Sequence, residues 1–194
     1  MPWRRRFAVP LALAAALAAF GCGEPPDKEI QLARAAIETA KAADAARYAH
    51  DEFAAAEEAL KKSLDAVEQR DYRLALNHAL DARDRAQSAS RQAATQQAAV
   101  RTEAERALGF ANDLLQQVKA HVKAAEGARV PPRQLAGARR SVATAEHGLQ
   151  EARTAFGNRD YPVALAGARN ATSGLQGVER DLDAVAPAAV KRRK

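Results

Sequence analysis

The sequence predicts an all-α protein of long antiparallel helical hairpins, and three observations predict it. Alanine, the residue of highest helix propensity, fills 51 of 194 positions. Between Asp27 and Ala186 the only prolines are Pro131, Pro132 and Pro162, so helix breakers are few. Apolar residues recur at alternating steps of three and four, as in Leu135, Ala138, Val142, Ala145, Leu149, Ala152 and Phe156. That is the period of a helix burying one stripe.

The first helix is expected from about Lys28 to Arg47. The second starts near Asp51 and runs to about Gln69, with a stripe of Phe53, Ala56, Leu60, Ser63 and Val67. Asp71 is placed to N-cap a third helix beginning at Tyr72. Only Gly109 lies inside that segment before Gly127, and 71–127 as one helix measures about 85 Å at 1.5 Å per residue. Gly127 fits a C′ position, and Pro131-Pro132 opens the fourth helix. Gly157-Asn158 ends the fourth. Asp160 then caps the fifth, which tolerates Pro162 in its first turn and ends near Val185, before Pro187. Its stripe is Tyr161, Ala164, Ala168, Ala171, Leu175, Val178, Leu182 and Val185. Phe53, Phe110 and Phe156 are expected in the core. The outer faces carry i,i+4 charge pairs, Glu57–Lys61, Glu58–Lys62 and Asp81–Arg85. Gly137, Gly148, Gly167, Gly174 and Gly177 fall beside the stripes, and each costs its helix about 1 kcal/mol against alanine.

The chain repeats itself. Arg70-Asp71-Tyr72-Arg73-Leu74-Ala75-Leu76 recurs as Arg159-Asp160-Tyr161-Pro162-Val163-Ala164-Leu165, 89 positions later. Upstream, Arg47-Tyr48 and Phe53 correspond to Arg129-Val130 and Leu135, 82 positions later. The difference is one heptad, which lengthens a hairpin without rotating its apolar stripe. The pattern is a duplicated three-helix unit whose copies share the long third helix. The expected organisation is a signal peptide over 1–21, a lipidated tether over 22–28, helical units over 29–98 and 99–185, and a flexible basic tail over 186–194. Ala33 to Ala94 resembles a domain-of-unknown-function family of bacterial lipoproteins, number 4398. The resemblance rests on alanine-rich helices, a first turn at Tyr48-Ala49-His50 with His50 where the family has proline, and a second turn at Asp71-Tyr72. The second unit keeps Asp160-Tyr161 but has Val130-Pro131-Pro132 at its first turn. The resemblance implies location and fold, and no activity.

The N-terminus reads as an export signal. Arg4, Arg5 and Arg6 precede an uncharged run from Phe7 to Phe20, too short for a membrane span of about 20 apolar residues. Cys22, the one cysteine, follows Gly21 directly. Ala19-Phe20-Gly21-Cys22 resembles the lipobox of bacterial lipoproteins, with Ala19 where the pattern has leucine and Phe20 bulky for its place. The resemblance implies a diacylglycerol thioether on Cys22, removal of the signal and acylation of the new amino group. Three acyl chains hold a membrane stably, where one holds marginally. Gly23 in place of aspartate favours, by the same resemblance, the periplasmic face of the outer membrane. A single cysteine excludes an intramolecular disulfide.

The net charge of +6 belongs to the ends of the chain. Without the three signal arginines it is +3, and Lys191, Arg192, Arg193 and Lys194 contribute +4. The body between carries about one negative charge, which argues against a nucleic-acid surface. The tail offers a contact for an anionic partner. It is similar to the end of Braun's lipoprotein, which implies peptidoglycan attachment through the Lys194 amine as one alternative.

Chemistry finds little support. His50, His78, His121 and His147 have no i,i+3 or i,i+4 partner histidine, so metal-ligand spacing is lacking. Phosphate-cradle and hydrolase-elbow patterns are absent. Neighbouring carboxylates such as Asp51-Glu52 diverge on a helix. Neither enzyme, cofactor nor metal is expected. Tyr72 and Tyr161 follow the capping aspartates and are expected to close the ends of the hydrophobic seams; with Tyr48, Asp71 and Asp160 they mark structural turns. The leading expectation is a lipid-anchored envelope protein that scaffolds or binds other envelope components. An alternative is a tetratricopeptide-like adaptor, since Asp71-Tyr72-x-x-Ala75-x-x-x-Ala79 resembles one helix of that repeat; the internal period of 82 to 89, not 34, counts against it.

Overall fold

The computed structural model describes the backbone of residues 24–191 and the side chains of 24–184. Every element among the described residues is a helix: α1 (Asp27–Ala42), α2 (Ala45–Tyr48), α3 (His50–Glu68), α4 (Tyr72–Gly127), α5 (Pro132–Gly157) and α6 (Tyr161–Lys191). The fold is all-α, as the composition and periodicity predict. α3 has 19 residues and α5 has 26, one heptad more.

Three boundaries differ from expectation. The first helix does not run unbroken to Arg47. Asp44 adopts a left-handed backbone (φ 56°), which a short polar side chain tolerates better than most, and the chain re-enters as the single turn α2. Gly127 is not a left-handed C′ residue but stays within α4; the left-handed position is Arg129 (φ 62°). Pro187 does not end the last helix, which continues to Lys191. Only one intrahelical N–H is lost there, close to the end. The tail expected to be flexible from 186 is therefore helical over its first six residues.

The chain divides into two compact units between Gln96 and Gln97. Unit 1 contains α1, α2, α3 and the first part of α4. Six alanines of α4 (Ala75, Ala79, Ala82, Ala86, Ala89 and Ala93) are fully buried at steps of four and three. Ala86, Ala89 and Ala93 pack with Ile37, Ala40, Ala45, Phe53 and Ala56, and Ala82 packs with Ala33 and Ala59. Side chains this short let backbones lie toward the 8 Å end of helix spacing. On α3 the seam runs through Phe53, Ala56, Ala59, Ser63 and Ala66. Leu60 and Val67, expected in it, are half-buried at its edge. Ser63 is buried and donates its hydroxyl to the Ala75 carbonyl at 2.8 Å, which removes the cost of an orphaned polar group.

Unit 2 contains the rest of α4 with α5 and α6, and its core is larger-grained. Leu114, Leu115, Val118 and Val122 of α4 pack with Val142 and Leu149 of α5 and Leu175 and Val178 of α6. The expected stripes on α5 and α6 are buried or half-buried over all their described side chains. Phe110, expected in the core, is instead 57% exposed, because the buried face of α4 passes through its neighbours Ala111 and Leu114. Gly167, expected beside the stripe, is placed differently. It lies in the seam, where an added Cβ would meet the Ala152 Cβ at 2.9 Å. Cross-helix pairs flank the core, with Arg139 on Glu126 at 2.7 Å, Arg153 donating to Asn112 at 2.8 Å, and contacts Lys119–Glu146 and Arg169–Glu103.

Candidate functional site

The turns are built alike from sequence upward. Arg70 (φ 59°), Arg129 (φ 62°) and Arg159 (φ 63°) each take the left-handed position after a helix. Around each, two backbone bonds close the helix end. Asp71 N–H donates to Ala66 O and Arg70 N–H to Val67 O; Val130 pairs with Ala125 and Arg129 with Glu126; Asp160 pairs with Ala155 and Arg159 with Phe156. This is the Schellman arrangement, with arginine where glycine is usual. A cation there complements the carbonyl end of the helix dipole.

Asp71 caps α4 as expected, accepting the Leu74 N–H at 3.0 Å. Asp160 holds the matching place before α6, its carbonyl accepting from Ala164 N–H. Tyr161 is buried, meets the Phe156 ring edge-on at 5.3 Å, and closes one end of the unit 2 core. Tyr72 is half-buried in the first turn of α4. Tyr48 ends α2, with the Arg47 guanidinium 5.9 Å from its ring centre. Tyr48 and Asp71 stand at opposite ends of α3, about 28 Å apart by helical rise, so these residues form turns and not one convergent site. Cys22, Arg192, Arg193 and Lys194 lie outside the described residues, and Lys191 is the last residue of α6.

His50 approaches Asp51 at 3.3 Å and His147 approaches Glu151 at 3.6 Å, both on the surface. Among the described residues no three His, Cys, Asp or Glu side chains gather closely enough to hold a metal. The Lys62 ammonium, hydrogen-bonded to Glu58, lowers that carboxyl below its ordinary value, and Asp81 raises Arg85. Both are exposed ion pairs of the kind expected from i,i+4 spacing, at 2.8 and 3.0 Å. Glu57 and Lys61, expected to pair likewise, do not.

What the pattern of residues does not point to directly is a groove between α5 and α6, about 570 Å³ in volume. Its floor is Ala145, Gly148, Ala152, Gly167, Ala171 and Gly174, and Arg140 and Glu151 stand on its α5 rim. A signal for it exists in the clustering of glycine in the second unit. No protein-family model, curated protein or solved structure matches this chain.

Proposed function

We propose that this chain is a lipid-anchored lipoprotein of the bacterial cell envelope, acting as a structural or protein-interaction element without catalysis. The observation that carries this reading is Cys22 directly after Gly21, at the exit of an uncharged run that follows three arginines. No described helix is long and apolar enough to cross a membrane, so attachment in this reading rests on the acyl chains of Cys22. The described surface carries exposed ion pairs along and between helices. Its cross-helix charges, such as Arg139 on Glu126, serve packing. The outer-membrane periplasmic face is the proposed location, from Gly23. Helices of 56, 26 and 31 residues do not favour the tetratricopeptide alternative, whose repeat places two short helices in about 34 residues.

Metabolic labelling with an alkyne fatty acid tests the reading. The label is expected on the full chain and lost in Cys22→Ala, and mass spectrometry is expected to find a mature product beginning at residue 22. An unlabelled protein, or one retaining residues 1–21, overturns it. The tail Val190-Lys191-Arg192-Arg193-Lys194 favours a second reading, a covalent peptidoglycan tether. Muropeptide mass spectrometry then shows a Lys194-linked peptide, and its absence removes the tether while leaving the anchor.

A further inference from the structure

Each unit carries a groove at the equivalent place, and the two differ in one telling way. The offset of 89 maps Ala55, Ala59, Lys62, His78, Asp81 and Arg85 of the α3/α4 groove onto Thr144, Gly148, Glu151, Gly167, Asn170 and Gly174 of the α5/α6 groove. In unit 1 long charged side chains line the groove, and one of them, Arg85, bridges it to Glu52. Arg85 pairs with Asp81 at 3.0 Å and with Glu52 at 3.7 Å, Lys62 pairs with Glu58 at 2.8 Å, and about 210 Å³ remains. In unit 2 glycines replace His78 and Arg85, and the groove opens to about 570 Å³. An added Cβ at Gly148 or Gly174 would meet nothing within 4 Å. The duplicated unit thus supplies its own control: the same helices, one groove bridged by charge and the other cleared.

The charges left on the cleared groove identify its occupant. Arg140, Thr144, Gly148 and Glu151 follow one another at steps of four, four and three, so they share one face of α5. Arg140 and Glu151 are about 16 Å apart by helical rise and cannot reach each other. Arg140 makes no ion pair among the described residues, and Glu151 meets only the His147 ring, at 3.6 Å. An antiparallel second α5 places Arg140 opposite Glu151 twice, once on each side of a two-fold axis near Ala145. Gly167 touches Ala152, and seven residues farther along each antiparallel helix Ala145 lies level with Gly174. The small residues therefore fall at the closest approach on both helices, and the opposite charges fall beyond it. A surface complementary to itself under a two-fold axis is the signature of an isologous dimer. We propose that the α5/α6 groove seats the same groove of a second copy of this chain, antiparallel, with Arg140 of each copy paired to Glu151 of the other. The inference goes beyond the lipid-anchor reading and stands whether or not Cys22 is acylated.

Thiol cross-linking of the full chain in intact cells tests it. Gly174→Cys, treated with a short bis-maleimide, is expected to give a band of twice the monomer mass. Arg85→Cys, the equivalent position in unit 1, is expected to give none. Arg140→Glu and Glu151→Arg, each added to Gly174→Cys, are expected to cut the cross-linked fraction about tenfold, because like charges then face each other at both contacts. The double swap R140E/E151R is expected to restore it to within about twofold, since all charge pairs are re-formed across the axis. Absence of the Gly174→Cys band, an equal band from Arg85→Cys, or a double swap no better than either single change overturns the proposal. Cross-linking of the chain whose only thiol is Cys22 would report an unacylated cysteine. That outcome counts against the lipid anchor alone, and dimerisation is then read as the excess produced by Gly174→Cys.

Discussion

An arginine held at positive φ costs its helix end about 1 kcal/mol relative to glycine, and this chain uses arginine there three times. Its charge returns part of that through the helix dipole, about 0.3–1 kcal/mol at low salt. Salt screens the charge and leaves the backbone term. Arg129→Gly is therefore expected to stabilise unit 2 by about 0.5–1 kcal/mol in high salt, and by less in low salt. Thermal melts at the two salt concentrations measure it, and a destabilised variant in high salt would refute the account. Glycine substitutions sort the other way according to space. Gly137→Ala gains about 1 kcal/mol of helix propensity and meets nothing within 4 Å. Gly167→Ala gains the same but drives its methyl into the Ala152 Cβ at 2.9 Å, and overpacking a rigid contact costs about 1–3 kcal/mol. Denaturant midpoints are expected to rise for the first and fall for the second; a rise in both would show the helices free to part. These residues also mark where sequence reading ends. Glycine pointed to Gly127 as a stop, yet a turn is selected by the bonds it closes, and the carbonyls of Ala125 and Glu126 are satisfied through Arg129 and Val130. Phe110 looked like core by its size, but a residue's face is set by its place in the 3.6-residue period, and the buried stripe passes one position later.

Among the elements, the strongest periodicities were the most legible. The α5 and α6 stripes were readable because large residues alternate with alanine there, so phase and burial agree. The α3 stripe was less so: alanines occupy several faces, and the packing partner alone selects Ala59 and Ala66 over Leu60 and Val67. That partner is the all-alanine face of α4, whose short side chains draw the backbones together and leave larger ones at the rim. The break at Asp44 had no proline or glycine to announce it. Asp71 did announce the start of α4, through the spacing that lets its carboxylate reach the Leu74 N–H. Removing it in Asp71→Ala orphans that donor and is expected to cost about 1 kcal/mol. The loss should appear as faster hydrogen exchange confined to the first turn of α4, with global stability lowered by the same amount. Unchanged exchange there would show that the two backbone bonds donated by Arg70 and its successor at position 71 hold the turn without the cap. The grooves were beyond element-level reading altogether, since each needs two helices and the register between them. Only the duplication, by aligning Arg85 with Gly174, made their difference visible.

For the molecule as a whole, the two units solve the same topology with different cores, and stability should follow the cores. Among the described residues of unit 1, three buried apolar side chains are larger than alanine: Ile30, Ile37 and Phe53. Among those of unit 2 there are twelve, including Leu114, Leu135, Leu149 and Leu175. A buried leucine stabilises by about 1.5–3 kcal/mol and a single methyl by about 0.8 kcal/mol, so the difference far exceeds the advantage of closer alanine packing. Unit 1 is then the part that opens first, although its helices have the better intrinsic propensity. Native-state hydrogen exchange with mass spectrometry is expected to show α1, α2 and α3 exchanging at lower denaturant than α5 and α6, with equilibrium unfolding in two steps. Leu149→Ala removes a side chain that is 1% exposed and should lower the second step by about 2–5 kcal/mol. The first step should stay in place, because the substitution lies outside unit 1. A single transition, with all six helices opening at one free energy, would mean that α4 carries enough of both cores to make the units one cooperative body. In that case the alanine-rich half would owe its order to the leucine-rich half, and Leu149→Ala would accelerate exchange throughout α1 to α3.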